Sequence, residues 1–276
     1  MQSFFRKSNA LTYILLILGL VLVWLPLWYM LATSFKVQSA IFELPPRLWP
    51  EPFTIQNYIN ILTTNHFDRY FFNSLKVSVA TVAITLLVSS MLAYAFARLD
   101  FPRKEWFFSV LLLGMMVPPI MLMIPQFIVV TNLSLQNQWG LILVYATMNI
   151  SMQTFLLRGI FEAVPRDLEE AALIDGAGSW MIFWKIILPL SKPGLAVVII
   201  NSFLYSWEEF AWAQILIKEE AMRTLPIAIA NYQGEHLTEW GHVFAATMIA
   251  LIPVFIVYLI FQRHFVQGIS TTGIKG

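Results

Sequence analysis

Between residues 106 and 157 the chain carries no Asp, Glu, Lys or Arg. A run of that length has no face to offer water, so it folds either as a buried core or in lipid. Lipid is the reading that the rest of the chain supports: 58% of the 276 residues are hydrophobic and 12% are charged, against about 25% charged in soluble domains. Mean hydropathy is +0.70. A net charge of +1 leaves no basic face for nucleic acid. The absence of cysteine excludes thiol catalysis, disulfides and thiolate metal sites together.

A bilayer takes about 20 apolar residues per helix. Six segments qualify, near 11–33, 72–97, 107–130, 139–158, 193–216 and 242–262. The first is too long for a cleaved signal peptide and lacks a small-residue cleavage site. Pro26, Pro118, Pro119, Pro125 and Pro253 fall inside these segments and interrupt several of them. Carbonyls freed at such breaks need partners on neighbouring helices. The expected fold is therefore an all-α polytopic bundle of six transmembrane helices, residues 1–276 forming a single transmembrane domain. With the N-terminus in the cytoplasm, eleven of the 17 Lys and Arg lie inside, as the positive-inside rule asks. Both termini and the loop 159–192 are then cytoplasmic, and loops 34–71 and 217–241 are external.

That cytoplasmic loop is patterned. Pro165 and the acids Asp167, Glu169 and Glu170 are helix-start signals. Leu168, Ala171 and Ala172 make one small apolar face, and Gly176 suits the left-handed residue that ends a helix. A second amphipathic stretch runs over 179–187 and stops at Leu188-Pro189. Two readings fit: a docking helix, or a helix on the lipid headgroups with Trp180, Phe183 and Trp184 dipping in. The second half of the loop fits the headgroup reading whatever the first half does.

The spacing Glu170-Ala171-Ala172, three residues, Gly176, nine residues, then Ile186-x-Leu188-Pro189 resembles the membrane subunits of binding-protein-dependent ATP-driven importers. Phe72-Asn73-Ser74-Leu75, Leu188-Pro189-Leu190-Ser191-Lys192-Pro193-Gly194 and the tail from Gln262 to Gly276 look like the carbohydrate branch, and a maltose-type permease subunit is the nearest type. The resemblance runs from about the first span to the C-terminus. It implies that the loop is a coupling helix docked on a cytoplasmic ATPase, with Glu170, Ala171, Ala172, Asp175 and Gly176 as the coupling residues. It also implies a second homologous permease, two ATPase copies that carry ATP and Mg, and an external or periplasmic substrate-binding protein, all at a prokaryotic cytoplasmic (inner) membrane. No cofactor is expected on this chain. It lacks the Gly-x-x-x-x-Gly-Lys-Ser/Thr phosphate loop, and it is expected to be a transport subunit, not an enzyme.

Ionisable residues inside a span are candidates for a substrate path. On an unbroken helix of 3.6 residues per turn, Asn201, Tyr205, Glu208 and Trp212 form one stripe with Glu209 at its edge. Amide, carboxylate and aromatic ring together suit a sugar. An interfacial aromatic belt with both acids facing water fits equally. The family usually shows Trp-Asn-Glu-Phe where this chain has Trp207-Glu208-Glu209-Phe210. Asn149, Ser151, Gln153 and Thr154 either line the same path or bond between helices. The loop 34–70, rich in Pro and aromatics, suits docking of the binding protein or packing over the bundle, and the tail suits a lie against the ATPase. His236, Glu239 and His242 do not share a helix face and no metal site is expected. The rivals are a permease of the same type for a non-sugar solute, an ion-coupled secondary transporter and a membrane enzyme. The absence of any acid from the first, third, fourth and sixth spans counts against the secondary transporter.

Overall fold

The computed structural model describes the backbone of residues 2–64, 66–234 and 238–272, and side chains from 10 to 263 apart from 64, 65 and 235–237. His236 and the tail beyond Arg263 lie outside the described side chains. In chain order the helices are α1 (Gln2–Ser34), α2 (Gln56–Thr64), α3 (Phe67–Arg98), α4 (Lys104–Met116), α5 (Met123–Asn132), α6 (Gln138–Glu162), α7 (Asp167–Ile174), α8 (Ser179–Ile182), α9 (Leu188–Leu190), α10 (Lys192–Glu208), α11 (Ala211–Leu216), α12 (Leu225–Asn231) and α13 (Trp240–Thr272). Among the described residues no strand forms; Lys36 with Phe53 and Gln233 with Thr238 make isolated bridges.

Among the described residues four helices are long and apolar enough to cross a bilayer, or up to six if each of two bent pairs is one span. The third expected segment is one such pair: α4 and the 3-10 turn and helix of Pro119–Asn132 meet at 96°. Pro118 and Pro119 cause the break, since Pro119 has no N–H for the ladder and the residue before a proline avoids the helical region. Pro26 and Pro253 stay inside α1 and α13 without ending them, so they do not interrupt their spans as the sequence suggests. The fifth segment is interrupted at Glu209 and Phe210, where no proline or glycine stands.

The chain divides into two compact units. One comprises residues 1–68 and 228–252. Here the loop 34–70 is folded, not slack. Phe35 stacks on Phe53 at 5.2 Å, and Trp28 meets Trp49 edge-on at 5.1 Å. Asn57 Nδ2 donates to the carbonyls of Ser34 and Lys36 at 2.9 and 2.8 Å. Gly241 lies so close to Asn57 that a Cβ would fall 2.7 Å from its amide. Lys36 is buried, donates to Arg47 O at 2.6 Å and sits over the Tyr29 ring; burial pushes its ammonium pKa below the usual lysine value. Residues 10–26 of α1 are exposed without exception.

The other unit comprises residues 69–227 and 253–276. It holds two apolar clusters at opposite ends of α3 and α6. Val77, Leu141, Tyr145, Trp212 and Leu216 belong to one. Ala93, Tyr94, Leu157, Phe161, Phe183 and Val198 belong to the other. Both helices bury a face along their length because small and apolar residues recur there every three or four positions.

Candidate functional site

The patterned loop begins at the end of α6 and turns into α7. Asp167, Glu169 and Glu170 occupy the first turn of α7, where the unpaired N–H groups favour negative charge. The helix ends as Gly176 enters the left-handed region at φ 84°. Gly176 N–H donates to Leu173 O at 3.0 Å and Ala177 N–H reaches back to Ala172 O at 2.9 Å, the paired bonds of a Schellman turn. Nothing lies within 4 Å of a Cβ built on Gly176. Backbone conformation, not space, therefore requires glycine, and another residue would cost about 1–2 kcal/mol there.

The two faces of α7 differ. Ala172 and Ala177 pack on the cluster of Phe161, Ile182 and Phe183. Ala172 thus faces the bundle, not outward with Ala171 as the sequence pattern implies. Ala171, Glu170 and Asp175 are exposed, and Ile174 is 87% exposed. At 100° per residue, Asp167, Glu170, Ala171 and Ile174 share the bare side.

Glu169 fastens the inner side. Its Oε1 lies 2.9 Å from Nε of Arg98, with the two side chains 13% and 4% exposed. The Nε–H of Arg98 is not aimed at the carboxylate and that contact satisfies no hydrogen bond, so it is an ion pair held by charge. The directed bonds of Arg98 go from Nη2 to the carbonyls of Phe161 and Val164, at the end of α6. One guanidinium thus joins α3, α6 and α7. Removing one partner of a buried pair typically costs about 3–5 kcal/mol. Tyr94 Oη adds a bond to Ser179 O at 3.1 Å. Beside this, Arg158 grips Glu105 of α4 with two bonds at 2.8 and 3.0 Å, and Glu162 with one at 2.8 Å.

After the turn, α8, a π-helical turn over Phe183–Ile187 and α9 run as one stretch. Leu188 N–H donates to Phe183 O, one residue further back than in an α-helix. This accommodates Pro189, which donates nothing. Trp180 and Trp184 are exposed, but Phe183 is buried against Tyr94 at 5.2 Å, so the three rings do not share a lipid-facing side. The stretch Ser179–Leu190 meets α10 at 80°.

The stripe on the fifth segment is not continuous. Asn201 and Glu208 are exposed and Tyr205 is half-buried on α10. Glu209 ends that helix in an extended conformation. Its carboxylate accepts from Tyr145 Oη at 2.5 Å, from Trp212 N–H at 2.9 Å and from Ala213 N–H at 3.3 Å. It therefore caps α11, and Trp212, 2% exposed, lies in the core. The structure brings Asn201, Tyr205 and Glu208 together on one helix and sends Glu209 and Trp212 inward. In the fourth segment Asn149 donates to Tyr145 O at 2.8 Å, a bond within its own helix.

The Asn73-Ser74 pair has a geometric role that the sequence does not reveal. Asn73 Nδ2 donates to the carbonyls of Ala221 and Arg223, both at 2.9 Å, and Ser74 Oγ accepts from Leu225 N–H at 2.7 Å. His242 pairs with Glu239 at 2.6 Å. Glu239 precedes α13, so helical angles do not separate the two as the sequence argument assumed.

Residues 86–271 match the family model described as binding-protein-dependent transport system inner membrane component. The chain is 34% identical to the diacetylchitobiose uptake system permease protein NgcG of Streptomyces coelicolor, covering 96% of this chain and 88% of that one. It is 36% identical to the multiple sugar-binding transport system permease protein MsmG of Streptococcus mutans, covering 95% and 96%. A chain in the structure of a bacterial ABC transporter involved in the import of the acidic polysaccharide alginate superposes with a TM-score of 0.80 at 25% identity, covering 94% and 97%. Motif, helix arrangement and relatives agree, and the chain belongs to the family of inner membrane components of binding-protein-dependent transport systems.

Proposed function

We propose that this chain is the transmembrane permease subunit of an importer that moves a sugar or oligosaccharide into the cell, and that the 165–190 loop passes ATPase closure into its spans. The observation that carries this reading is the asymmetry of α7. One side is fastened to the bundle through Glu169 and Ala172, while the opposite side bares Glu170, Ala171 and Ile174. An exposed apolar residue on a rigidly held helix outside the bilayer suits a docked partner. The partner is a cytoplasmic ATPase in two copies, which binds ATP and Mg. A second homologous permease and an external or periplasmic binding protein complete the assembly. The chain sits in a prokaryotic cytoplasmic membrane with six spans and both termini inside.

The sugar reading is supported by relatives such as NgcG and MsmG, a diacetylchitobiose uptake permease and a multiple sugar-binding transport permease. It is supported also by the amide, ring and carboxylate that Asn201, Tyr205 and Glu208 offer along α10. Glu209 and Trp212 shape that path without touching its cargo. A permease for a non-sugar solute and an ion-coupled transporter are the alternatives.

The test is purification of the tagged chain from its native host in mild detergent. Recovery of a second multi-span chain and an ATPase, both lost from a Gly176→Leu variant, is the expected result. ATPase stimulation of that complex then screens solutes, sugars first. A chain recovered alone that transports without ATP overturns the reading in favour of the ion-coupled transporter.

A further inference from the structure

The helix α3 is unbroken over 32 residues, about 48 Å by helical rise, and exceeds the roughly 30 Å of a bilayer core. Both ends are fastened to elements distant in sequence. At one end Arg98 holds the carbonyls of Phe161 and Val164 and pairs with Glu169 of α7. Tyr94, one turn earlier, holds Ser179 O. At the other end Asn73 and Ser74 hold the backbone of 221–225 through three bonds, and Tyr70 adds a bond to Glu220 at 3.3 Å. Arg98 is 4% exposed, an expensive place for a charge unless its partners are needed together. Nothing local requires an arginine there, because the last turn of α3 could end in solvent.

We infer that α3 is a strut between two loops: Arg98 positions it on α7, Asn73 positions it on residues 221–225, and a displacement of α7 therefore reaches that distant loop. This rests on the coupling role proposed for α7 and adds the route by which its motion leaves the loop. The requirements are physical. A helix transmits displacement along its axis only if both ends are held, and the links must survive the motion. Buried, multiply bonded contacts do so better than exposed ones, which water replaces at little cost. Arg98 and Asn73 are positioning residues; neither is placed on the candidate substrate path.

The experiment uses the assembled transporter and exploits the absence of cysteine in this chain. An environment-sensitive maleimide fluorophore is placed on Leu173→Cys, beside the bare face of α7, in one preparation and on Lys218→Cys in another, both exposed positions. Emission is followed on adding ATP with vanadate. In the otherwise native chain both labels are expected to respond. In Arg98→Gln and in Asn73→Ala the response at 173 is expected to persist while that at 218 falls at least several-fold. Glu169→Gln keeps the volume and removes the charge, and is expected to give a smaller loss of the same kind should Arg98→Gln fail to assemble. A response at 218 that survives Arg98→Gln, or survives both Glu169→Gln and Asn73→Ala, overturns the strut. Loss of both responses together with loss of the ATPase overturns it too, because the clamp then only builds the docking face. No response at 173 in the native chain is a different result, which defeats the coupling role itself.

Discussion

The carboxylate of Glu209 accepts from one tyrosine hydroxyl and two backbone N–H groups, while the adjacent Glu208 is exposed at the last turn of α10. Substitution should separate these neighbours. Glu209→Ala removes a helix cap, typically worth about 1–2 kcal/mol, and leaves the buried Tyr145 hydroxyl only a long contact to the backbone oxygen of residue 209, at 3.5 Å, at a further cost of up to about 3 kcal/mol. Its thermal unfolding midpoint in detergent should fall by several degrees. Glu208→Gln should leave that midpoint unchanged and alter uptake or substrate-stimulated ATP hydrolysis; a matching fall in stability would remove Glu208 from the path. The sequence does not distinguish the two acids. Trp207-Glu208-Glu209-Phe210 contains no proline or glycine, so nothing local announces the break that turns Glu209 inward. Arg98 was equally hidden. Read along the chain it is one more topological charge, and its partner Glu169 stands 71 positions away. Glycine at 176, by contrast, was legible, because a left-handed residue after a short acidic helix is a local requirement.

At the scale of elements, glycines in one and the same helix carry opposite burdens. A Cβ on Gly140 would fall 2.0 Å from the backbone oxygen of Leu135, whereas nothing lies within 4 Å of one on Gly159. Gly140 sits in the first turn of α6, where Asn137 caps Trp139 and Gly140 and draws the preceding turn tightly over the helix. Backbone cannot yield as a side-chain tip does, so Gly140→Ala should cost at least the roughly 1–3 kcal/mol of an overpacked site. The yield of monodisperse chain on size exclusion should drop several-fold for Gly140→Ala and hold for Gly159→Ala; equal yields would show that the turn relaxes freely. The helices themselves were readable because a bilayer demands one length and one composition. Their bends were half readable. Pro118-Pro119 marks one in plain chemistry, and Pro189 with Pro193 marks the 80° turn at Ser191, while the break at Glu209 and Phe210 carries no such mark.

At the scale of the whole molecule, orientation is the property that positive charge predicts and packing does not reveal. Two positions make it measurable in a chain without cysteine: Leu44, 88% exposed, and Ile174, 87% exposed. In intact cells a membrane-impermeant maleimide should label Leu44→Cys at once and Ile174→Cys only after permeabilisation. The reverse pattern would invert the topology and move the bare face of α7 away from any ATP. One further feature reaches beyond packing. From residue 10 to 26 the first helix exposes every side chain, so burial within this chain does not distinguish one position there from its neighbours. Such a segment stores composition rather than order. Shuffling its apolar residues should leave the remainder of the fold intact, and any defect that did follow would be a message from a neighbour in the membrane, written in a stretch that this chain leaves bare.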